Sequence, residues 1–391
     1  MAEAACRKKG KRLALLGLLL AGVILVAGQA FLFGRGSLRG IIYSRKFNRD
    51  RCYAGDHLEL VEVIENNKSI PVPWLRLESE FPAAFRFRGN TISKVQLGSV
   101  YQTHTSGFAL LPHRRVTRRH FVVCESRGIF SLSSIFMTAG DLLGFVLRSR
   151  SIHIESPLVV YPRLLDEKEL PYSWHSWQGE FAVRRWILED PFMIEGSREY
   201  APGDPMNRID WKATARTGGL QVHRQGHSAD PQVMIVLDIG DVVAGMAGGQ
   251  SEAEAEQTIS LAATCADRLI ASGVQVGFVH NAHTLSSPRV PIDGGAAHRH
   301  LLLEAMAGIR LKERQSLSKT LQAEVGERGT ARDYILVSKG SEAELRQAAA
   351  PLERAGHQLS ILRPKRESEA AAASEKQSPS SEVSKQKEVG A

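Results

Sequence analysis

The fold of the C-terminal part of this sequence depends on one stretch, Gln232-Val233-Met234-Ile235-Val236-Leu237-Asp238. Its five consecutive apolar residues are typical of a strand that is buried on both faces, as the strands of parallel sheets are. The carboxylate that follows stands where such a strand ends. This stretch therefore predicts the first strand of an α/β domain.

Helix and strand patterns alternate downstream of this stretch. Ser251 and Glu254 have the spacing of a capping box, apolar residues recur at helical spacing up to Ile270, and Gly273 suits a C-terminal cap. The pattern then predicts strands over 274–280, 334–337 and 358–362 and helices near 298–309 and 342–355. Repeated β-α units predict a mainly parallel, Rossmann-like sheet over residues 231–363.

The preceding region has a different period. From residue 52 to 161, short segments such as 57–64 and 74–78 alternate apolar and polar residues, which is typical of half-buried antiparallel strands. We expect a β-rich, sandwich-like domain here. Four arginines form either a solvated rim or a lipid headgroup contact: Arg114, Arg115, Arg118 and Arg119.

The N-terminus combines a basic segment, residues 1–12, with an apolar stretch over 13–33 whose one strongly polar member is Gln29. At about 1.5 Å per helical residue, this stretch is long enough for a hydrocarbon core roughly 30 Å thick. It predicts a transmembrane helix. A cleaved signal peptide is the alternative, because Gly28-Gln29-Ala30 resembles a cleavage site. Basic residues on both sides leave the orientation open.

Charge and cysteine content restrict the partners and the compartment. The chain carries a net charge of +8, but residues 1–160 hold 23 Lys and Arg against 11 Asp and Glu, a balance of +12. This distribution favours an anionic lipid surface over nucleic acid. The four cysteines lie far apart and have no metal-binding spacing. They favour a reducing compartment, and so a cytoplasmic position for the part outside the membrane.

Residues 162–230 connect the two predicted domains. Three of the five tryptophans, Trp174, Trp177 and Trp186, lie early in this connector. They indicate either a packed connector or an exposed aromatic patch for a partner. The last residues, 364–391, are rich in Ser, Glu, Lys and Ala, and this composition predicts a disordered tail.

The connector also contains the most distinctive stretch of the chain, residues 198–216, which read REYAPGDPMNRIDWKATAR and are called the signature segment below. This stretch closely resembles the signature of the DUF58 family, a bacterial group of unknown function. Residues 127–130, 141–145 and 160–162 are similar to upstream landmarks of that family. The resemblance covers most of residues 50–365. It implies a membrane-anchored protein with a von Willebrand A-like domain.

The signature segment combines a turn with fixed charges. Gly203 can adopt a positive φ, and Asp204 can accept backbone hydrogen bonds. One interpretation is a structural clamp, in which ion pairs and a buried Trp211 hold the connector in place. The other is a docking surface for a partner. The candidate residues are Arg198, Glu199, Tyr200, Gly203, Asp204, Arg208, Asp210, Trp211, Lys212 and Arg216.

The resemblance also raises the question of a metal. Von Willebrand A domains often hold a divalent cation in a D-x-S-x-S loop, whose oxygen ligands suit Mg²⁺. This chain instead reads Asp238-Ile239-Gly240-Asp241-Val242, so both serine hydroxyls are missing. Lys339, near a later strand end, would repel a dication. We therefore expect no cofactor, although Asp238 and Asp241 could form an altered magnesium site.

The resemblance implies a function as well. The resemblance to DUF58 implies that a MoxR-type AAA+ ATPase is a partner. It also implies a second partner, a transglutaminase-like membrane protein. The expected function is therefore a membrane-anchored adaptor in the assembly or maturation of other proteins, and not an enzyme. One alternative is a hydrolase that uses the carboxylates of Asp204, Asp238 or Asp241 as acid and base. The other alternative is a nucleic-acid-binding protein, which salt-sensitive binding would reveal.

Overall fold

The computed structural model describes residues 2–88, 93–97, 101–141, 143–187, 194–225, 232–240, 251–284, 287–325 and 332–365. The chain divides into two compact units, residues 1–163 and 164–391. Residues 366–391 of the predicted disordered tail (364–391) and the side chain of Trp186 lie outside the described residues.

The first unit begins with helix α1 (Ala2–Gly36), which contains the predicted spanning segment. In the part of the chain that the structure describes, no helix combines the length with the apolar character needed to cross a bilayer. The predicted transmembrane helix is thus corrected to a helix that does not meet this requirement.

Two sheets make up the rest of the first unit. The four-stranded sheet has the order β1 (Ile41–Phe47), β3 (His57–Asn66), β8 (Arg115–Cys124), β5 (Phe85–Arg88). The six-stranded sheet has the order β2 (Arg51–Tyr53), β10 (Leu147–Tyr161), β9 (Gly128–Gly140), β4 (Val72–Pro82), β7 (Tyr101–Leu110), β6 (Ser93–Leu97). Among the described strand pairings of these two sheets, only that of β2 with β10 is parallel.

The alternating residues of these strands form the core between the two sheets. Along β3, every second side chain is buried, as the period-two pattern predicted. Ile64 of β3 and Leu75 of β4 belong to one cluster of buried residues. Leu60 of β3 and Phe81 of β4 belong to a second cluster. Each sheet therefore buries its apolar face against the other.

The second unit contains a five-stranded sheet with four helices between its strands. The order is β16 (Arg289–Asp293), β14 (Gln275–His280), β13 (Gln232–Leu237), β18 (Asp333–Val337), β19 (Gln358–Leu362). The helices are α4 (Glu252–Ala271), α5 (Gly295–Ala307), α6 (Leu317–Val325) and α7 (Glu342–Arg354). A separate pair is formed by β15 (Ala282–His283) and β17 (Arg310–Arg314).

Several local predictions are confirmed in this unit. The apolar run forms β13, whose residues 233–237 are all buried. The capping box begins α4, with Ser251 Oγ accepting from Glu254 N at 3.3 Å and Glu254 Oε2 accepting from Ser251 N at 3.0 Å. Strand β19 has the predicted bounds. Local sequence signals thus determine these helices and strands.

The predicted fold class is wrong. A mainly parallel, Rossmann-like von Willebrand A fold does not describe this chain, because ten of the fourteen described strand pairings are antiparallel. Even in the five-stranded sheet, the edge strand β16 runs antiparallel to β14. Strands joined by short connections pair antiparallel without a crossover helix, and such connections dominate residues 41–161.

The predicted connector contains a helix, α2 (Tyr172–Ile187), and a hairpin, β11 (Ile194–Glu199) with β12 (Gln221–Gln225). On α2, Trp174 and Trp177 are buried with ring centroids 5.4 Å apart, and Phe181 stacks on Trp177 at 4.7 Å. These three residues are spaced by three and four positions, which places them on one face of a helix.

Candidate functional site

The signature segment forms the long connection of the hairpin between β11 and β12. Tyr200 N donates to Leu220 O at 3.0 Å, and Asp210 N donates to Gln221 O at 2.8 Å. An isolated antiparallel bridge between Ile209 and Val222 closes the loop. The segment is therefore a loop whose two ends are fixed by backbone hydrogen bonds.

An ion pair organises the turn at the start of this loop. Arg198 donates from Nη1 and Nη2 to the two carboxylate oxygens of Asp204, at 2.7 and 2.6 Å. Asp204 Oδ2 also accepts from Ala201 N at 2.9 Å, and Gly203 has a φ of +111°, which favours glycine. The hydrogen bonds from Arg198 lower the pKa of Asp204 to about 2. Asp204 is thus a fixed anion at neutral pH.

A second carboxylate begins the short helix α3 (Trp211–Thr217). Asp210 Oδ1 accepts from Lys212 N at 3.1 Å and from Ala213 N at 3.0 Å, so Asp210 is the N-cap. The helix ends at Gly218, which has a φ of +74°. His223 Nδ1 lies 3.6 Å from Asp210 Oδ2. Both predicted aspartates therefore fix the backbone of the loop.

The predicted buried anchor, Trp211, is exposed. Trp211 and Met206 are each 66% exposed, and Leu220 is 45% exposed. The residues that anchor the loop are Ile209 and Val222, which are both buried. Sequence analysis missed Ile209, although an apolar residue at the point where the loop closes is the available signal. The interpretation of Trp211 as part of a clamp is therefore wrong.

The charged candidates lie on both sides of Trp211 in the sequence. Arg198 and Glu199 end β11, Arg208 lies in a 3₁₀ turn over Met206–Arg208, and α3 carries the remaining two cations, Lys212 and Arg216. Lys212 and Arg216 are exposed and four residues apart, so they share one face of the helix. Tyr200 is half-buried. Four cations of the signature segment thus accompany one exposed tryptophan.

The predicted metal residue Asp238 lies at the end of β13 and is 6% exposed. Its Oδ1 accepts from Asn281 Nδ2 at 2.6 Å, and its Oδ2 accepts from Ser338 Oγ at 2.7 Å. Asn281 Oδ1 in turn accepts from Ile239 N at 2.9 Å. Ser338 Oγ also accepts from Gly340 N at 3.1 Å. These bonds tie together the ends of three neighbouring strands.

The arrangement around Asp238 is that of a hydrogen-bonded structural centre. Both of its carboxylate oxygens already accept hydrogen bonds, and Lys339 pairs with Glu254 next to Ser338. Within the described residues, no group of three His, Cys, Asp or Glu side chains is placed to hold a metal ion. Asp241, the second residue of the predicted site, lies outside the described residues.

The first unit contains a buried polar cluster that sequence analysis missed. Glu62 accepts from Tyr43 Oη at 2.8 Å and contacts His120 Nε2 at 3.0 Å. The His104 and His120 rings are 4.9 Å apart, and Arg45 Nη2 donates to Leu132 O at 3.2 Å. Burial lowers the pKa of His104 to about 4. Each residue occupies an inward position of the period-two pattern that apolar residues otherwise fill.

Comparisons with known proteins agree with the resemblance found in the sequence. Residues 196–343 match the family described as "Protein of unknown function DUF58". The protein named "Uncharacterized protein YeaD" of Bacillus subtilis (strain 168) is 20% identical over 351 residues, which cover 83% of this chain and 82% of YeaD. The recognition of DUF58 in the signature segment is therefore confirmed.

Solved structures resemble the chain only distantly. The match to a non-cellulosomal cohesin from Archaeoglobus fulgidus covers 30% of this chain and 90% of the cohesin chain, with 11% sequence identity and a TM-score of 0.21. The match to the sporulation control protein Spo0M from Bacillus subtilis covers 42% of this chain and 58% of the Spo0M chain, with 11% sequence identity and a TM-score of 0.20. Scores of this size carry no argument about function.

Proposed function

Because the chain carries a DUF58 region over residues 196–343, we propose that it is an adaptor whose signature segment binds a MoxR-type AAA+ ATPase. The observation that carries this proposal is the exposure of Trp211 on a loop that is otherwise fixed by hydrogen bonds. A tryptophan that contributes nothing to the core is available to a partner. In this role the chain assists the assembly or maturation of other proteins.

The residue types of the signature segment fit a protein interface. Tryptophan and arginine are enriched among the residues that dominate binding energy, because they combine a large contact area with hydrogen-bond donors. The bonds of Asp204 and Asp210 hold the loop in place before a partner arrives. A preorganised loop loses little conformational entropy on binding. A fixed loop with an exposed aromatic ring therefore supports docking.

Charge indicates the surface that the partner presents. Lys212 and Arg216 lie on one face of α3, Arg208 lies in the 3₁₀ turn that precedes it, and Arg198 lies at the end of β11. Positive residues at an interface steer association with a surface of opposite charge. We therefore propose that the ATPase contributes an acidic patch with an apolar pocket for Trp211. The same chemistry suits a transglutaminase-like membrane protein as a second partner.

The alternative functions receive less support from the geometry. A hydrolase needs a carboxyl group that can exchange protons near neutral pH, whereas Asp204 has a pKa of about 2 and is held by Arg198. Asp238 has both oxygens engaged. A nucleic-acid function lacks an observation of its own in the described residues. An adaptor without enzymatic activity or cofactor remains the proposal.

We also propose that the adaptor associates with a cell membrane. This proposal rests on charge and not on a membrane-spanning helix. Residues 1–160 carry a balance of +12, and positive segments associate with anionic lipid headgroups. Fractionation of native cells tests this location directly. Recovery of the chain in the membrane fraction at low salt and its release at high salt would indicate an electrostatic association.

Binding to the purified MoxR-type ATPase of the same genome tests the docking proposal. We expect the full chain to bind the ATP-loaded enzyme and Trp211→Ala to weaken this binding at least about tenfold, since buried interface tryptophans contribute 2 kcal/mol or more. Leu301→Ala on α5 removes another exposed apolar side chain and serves as the matched control. The measurement is a Kd from isothermal titration calorimetry.

Charge reversal provides the second arm of this test. The double variant Lys212→Glu and Arg216→Glu should lose binding, whereas Lys319→Glu on α6, an exposed lysine outside the signature segment, should retain it. Each variant is also melted, so that loss of binding is separated from loss of structure. Equal binding by the Trp211 and charge-reversed variants would exclude the signature segment as the docking surface.

A further inference from the structure

Two cysteines from different sheets meet in the core of the first unit. Cys52 lies in β2 and Cys124 ends β8, and their sulfur atoms are 3.8 Å apart. Cys52 is 4% exposed and Cys124 is fully buried. The two residues are separated by 72 positions along the chain. Folding therefore brings together two thiols that their spacing in the sequence does not associate.

The backbone around both cysteines is fixed by hydrogen bonds. Gly55 N donates to Cys124 O at 2.7 Å, and Cys124 N donates to Asp56 O at 3.2 Å. Cys52 pairs with Val160 of β10 in the parallel ladder. Strand β2 belongs to the six-stranded sheet and β8 to the four-stranded sheet. The contact of the two thiols is thus a contact between the two sheets.

We propose that Cys52 and Cys124 are a modification site, at which an intramolecular disulfide joins the two sheets of the first unit. A disulfide needs a sulfur separation of about 2 Å, so rotation of the two side chains must bring the sulfur atoms closer by roughly 2 Å. Both side chains lie in one buried cluster with Leu58 and Phe85, so no intervening layer separates them. The proposal is independent of the docking function.

The bond forms by two exchanges with a small disulfide oxidant such as oxidised glutathione. The Cys52 thiol loses its proton and attacks one sulfur of the oxidant, which releases one thiol that carries that proton. Cys124 then loses its proton and attacks the Cys52 sulfur, which releases the second thiol. Two electrons and two protons pass from the protein to the oxidant. Burial makes this chemistry fastest while the chain is folding.

The order of the two steps follows from the surroundings of the thiols. Cys52 retains slight exposure, whereas Cys124 is sealed. The contact with Cys52 and burial both raise the pKa of the Cys124 thiol. The thiolate is the attacking species, so Cys124 reacts second, from within the mixed disulfide. Cys52 is thus the residue that an oxidant meets first.

The state of this pair reports the compartment of the first unit. Disulfides form and persist in oxidising compartments and are reduced in the cytosol. Cys52 and Cys124 would be joined in a chain whose first unit faces an oxidising space, and they would be thiols in a reducing one. Acid quenching of intact cells, followed by alkylation of the unjoined thiols under denaturing conditions, distinguishes these two states.

Refolding of the full chain tests the proposal directly. A background variant with Cys6→Ala and Cys265→Ala retains only Cys52 and Cys124 as cysteines. It is denatured, reduced and refolded with reduced and oxidised glutathione. We expect a monomer that has lost two hydrogens, with a peptide pair that spans both cysteines in the mass spectrum. Oxidation should raise the Tm of the first unit by roughly 10 °C, because the bond closes a long loop.

Two controls keep the result decisive. The wild-type chain is refolded in parallel, so that the outcome does not depend on whether the background variant folds. A Cys52→Ala and Cys124→Ala chain should show no Tm difference between oxidised and reduced buffer. The proposal would be overturned if chain that has folded in the oxidising buffer, once denatured without a reductant, had both thiols open to alkylation. A bond from either cysteine to Cys6 or Cys265 in the wild type would also overturn it.

Discussion

Helix α2 and the signature segment both contain tryptophan, but in opposite environments. Trp174 on α2 is fully buried, whereas Trp211 on α3 is mostly exposed. On α2 the aromatic residues recur at helical spacing and stack on one another. On α3 the helix has seven residues, and none of those after Trp211 is a large apolar side chain. Burial thus follows from apolar neighbours at the right spacing and not from the tryptophan itself.

Two aspartates repeat this difference. Asp238 is buried and bound by the neutral donors of Asn281 and Ser338, whereas Asp204 is paired with the exposed guanidinium of Arg198. Water competes with the bonds of an exposed pair, so such a pair contributes little to folding. Buried donors have no such substitute. The two aspartates should therefore respond differently to equivalent substitutions.

The tryptophan comparison gives the largest expected effect. Trp174→Ala should lower the free energy of unfolding by about 3–5 kcal/mol, because it leaves a cavity where the ring packs against Trp177. Trp211→Ala should change it by less than about 1 kcal/mol, since the removed surface is already hydrated. Urea unfolding of both variants measures the difference. Equal losses would mean that Trp211 is buried in solution.

The stability of the second unit measured as a function of pH tests a third buried side chain, His280 at the end of β14. Burial lowers the pKa of His280 from 6.5 to about 4. The unfolded chain therefore binds this proton at a higher pH than the folded chain, and stability is lost as pH falls from about 6.5 towards 4. The loss should reach about 3 kcal/mol for this group. His280→Leu should flatten the pH dependence of the unfolding of the second unit, and an unchanged slope would contradict the assignment.

The aspartate comparison gives the smallest effect. Asp238→Ala should lower the free energy of unfolding by about 2 kcal/mol, because Asn281 and Ser338 each lose an acceptor inside the protein. Asp204→Ala should leave the urea midpoint nearly unchanged. Asp238→Asn retains an acceptor oxygen and serves as the control of intermediate effect.

Millimolar Mg²⁺ added to the parent chain should not shift its Tm, and a shift that Asp238→Ala abolishes would restore a metal site.

The sequence predicted local structure better than long-range arrangement. Apolar runs and capping residues located β13, α4 and β19, since their signals lie within a few neighbouring residues. The helix α2 could have been found from the spacing of Trp174, Trp177 and Phe181. The fold class was wrong because strand direction and sheet membership depend on contacts between distant residues. The alternation of elements over 231–363 predicted a mainly parallel sheet, but it does not reveal that the edge strand β16 runs antiparallel to β14.

The site was predictable in composition but not in geometry. The signature segment carried the resemblance to DUF58, whose family model matches residues 196–343, and its turn and charges were recognised from Gly203 and Asp204. The orientation of the signature segment was not predicted. Whether Trp211 packs inward depends on where Ile209 meets β12. The contact of Cys52 with Cys124 and the cluster at Glu62 were also missed. Both arise from the pairing of strands that the sequence alone does not align.

The order of strands in the five-stranded sheet has a consequence for synthesis of the chain. Strand β13 lies between β14 and β18, and its register pairs Val233 with Asp333, about a hundred residues later. A ribosome that adds about 5–20 residues per second needs roughly 5–20 s to make that interval. Through this time one edge of a strand with five consecutive apolar residues has no partner in the nascent chain. Unpaired apolar edges promote aggregation, so β13 is a segment that cotranslational chaperones have reason to shield.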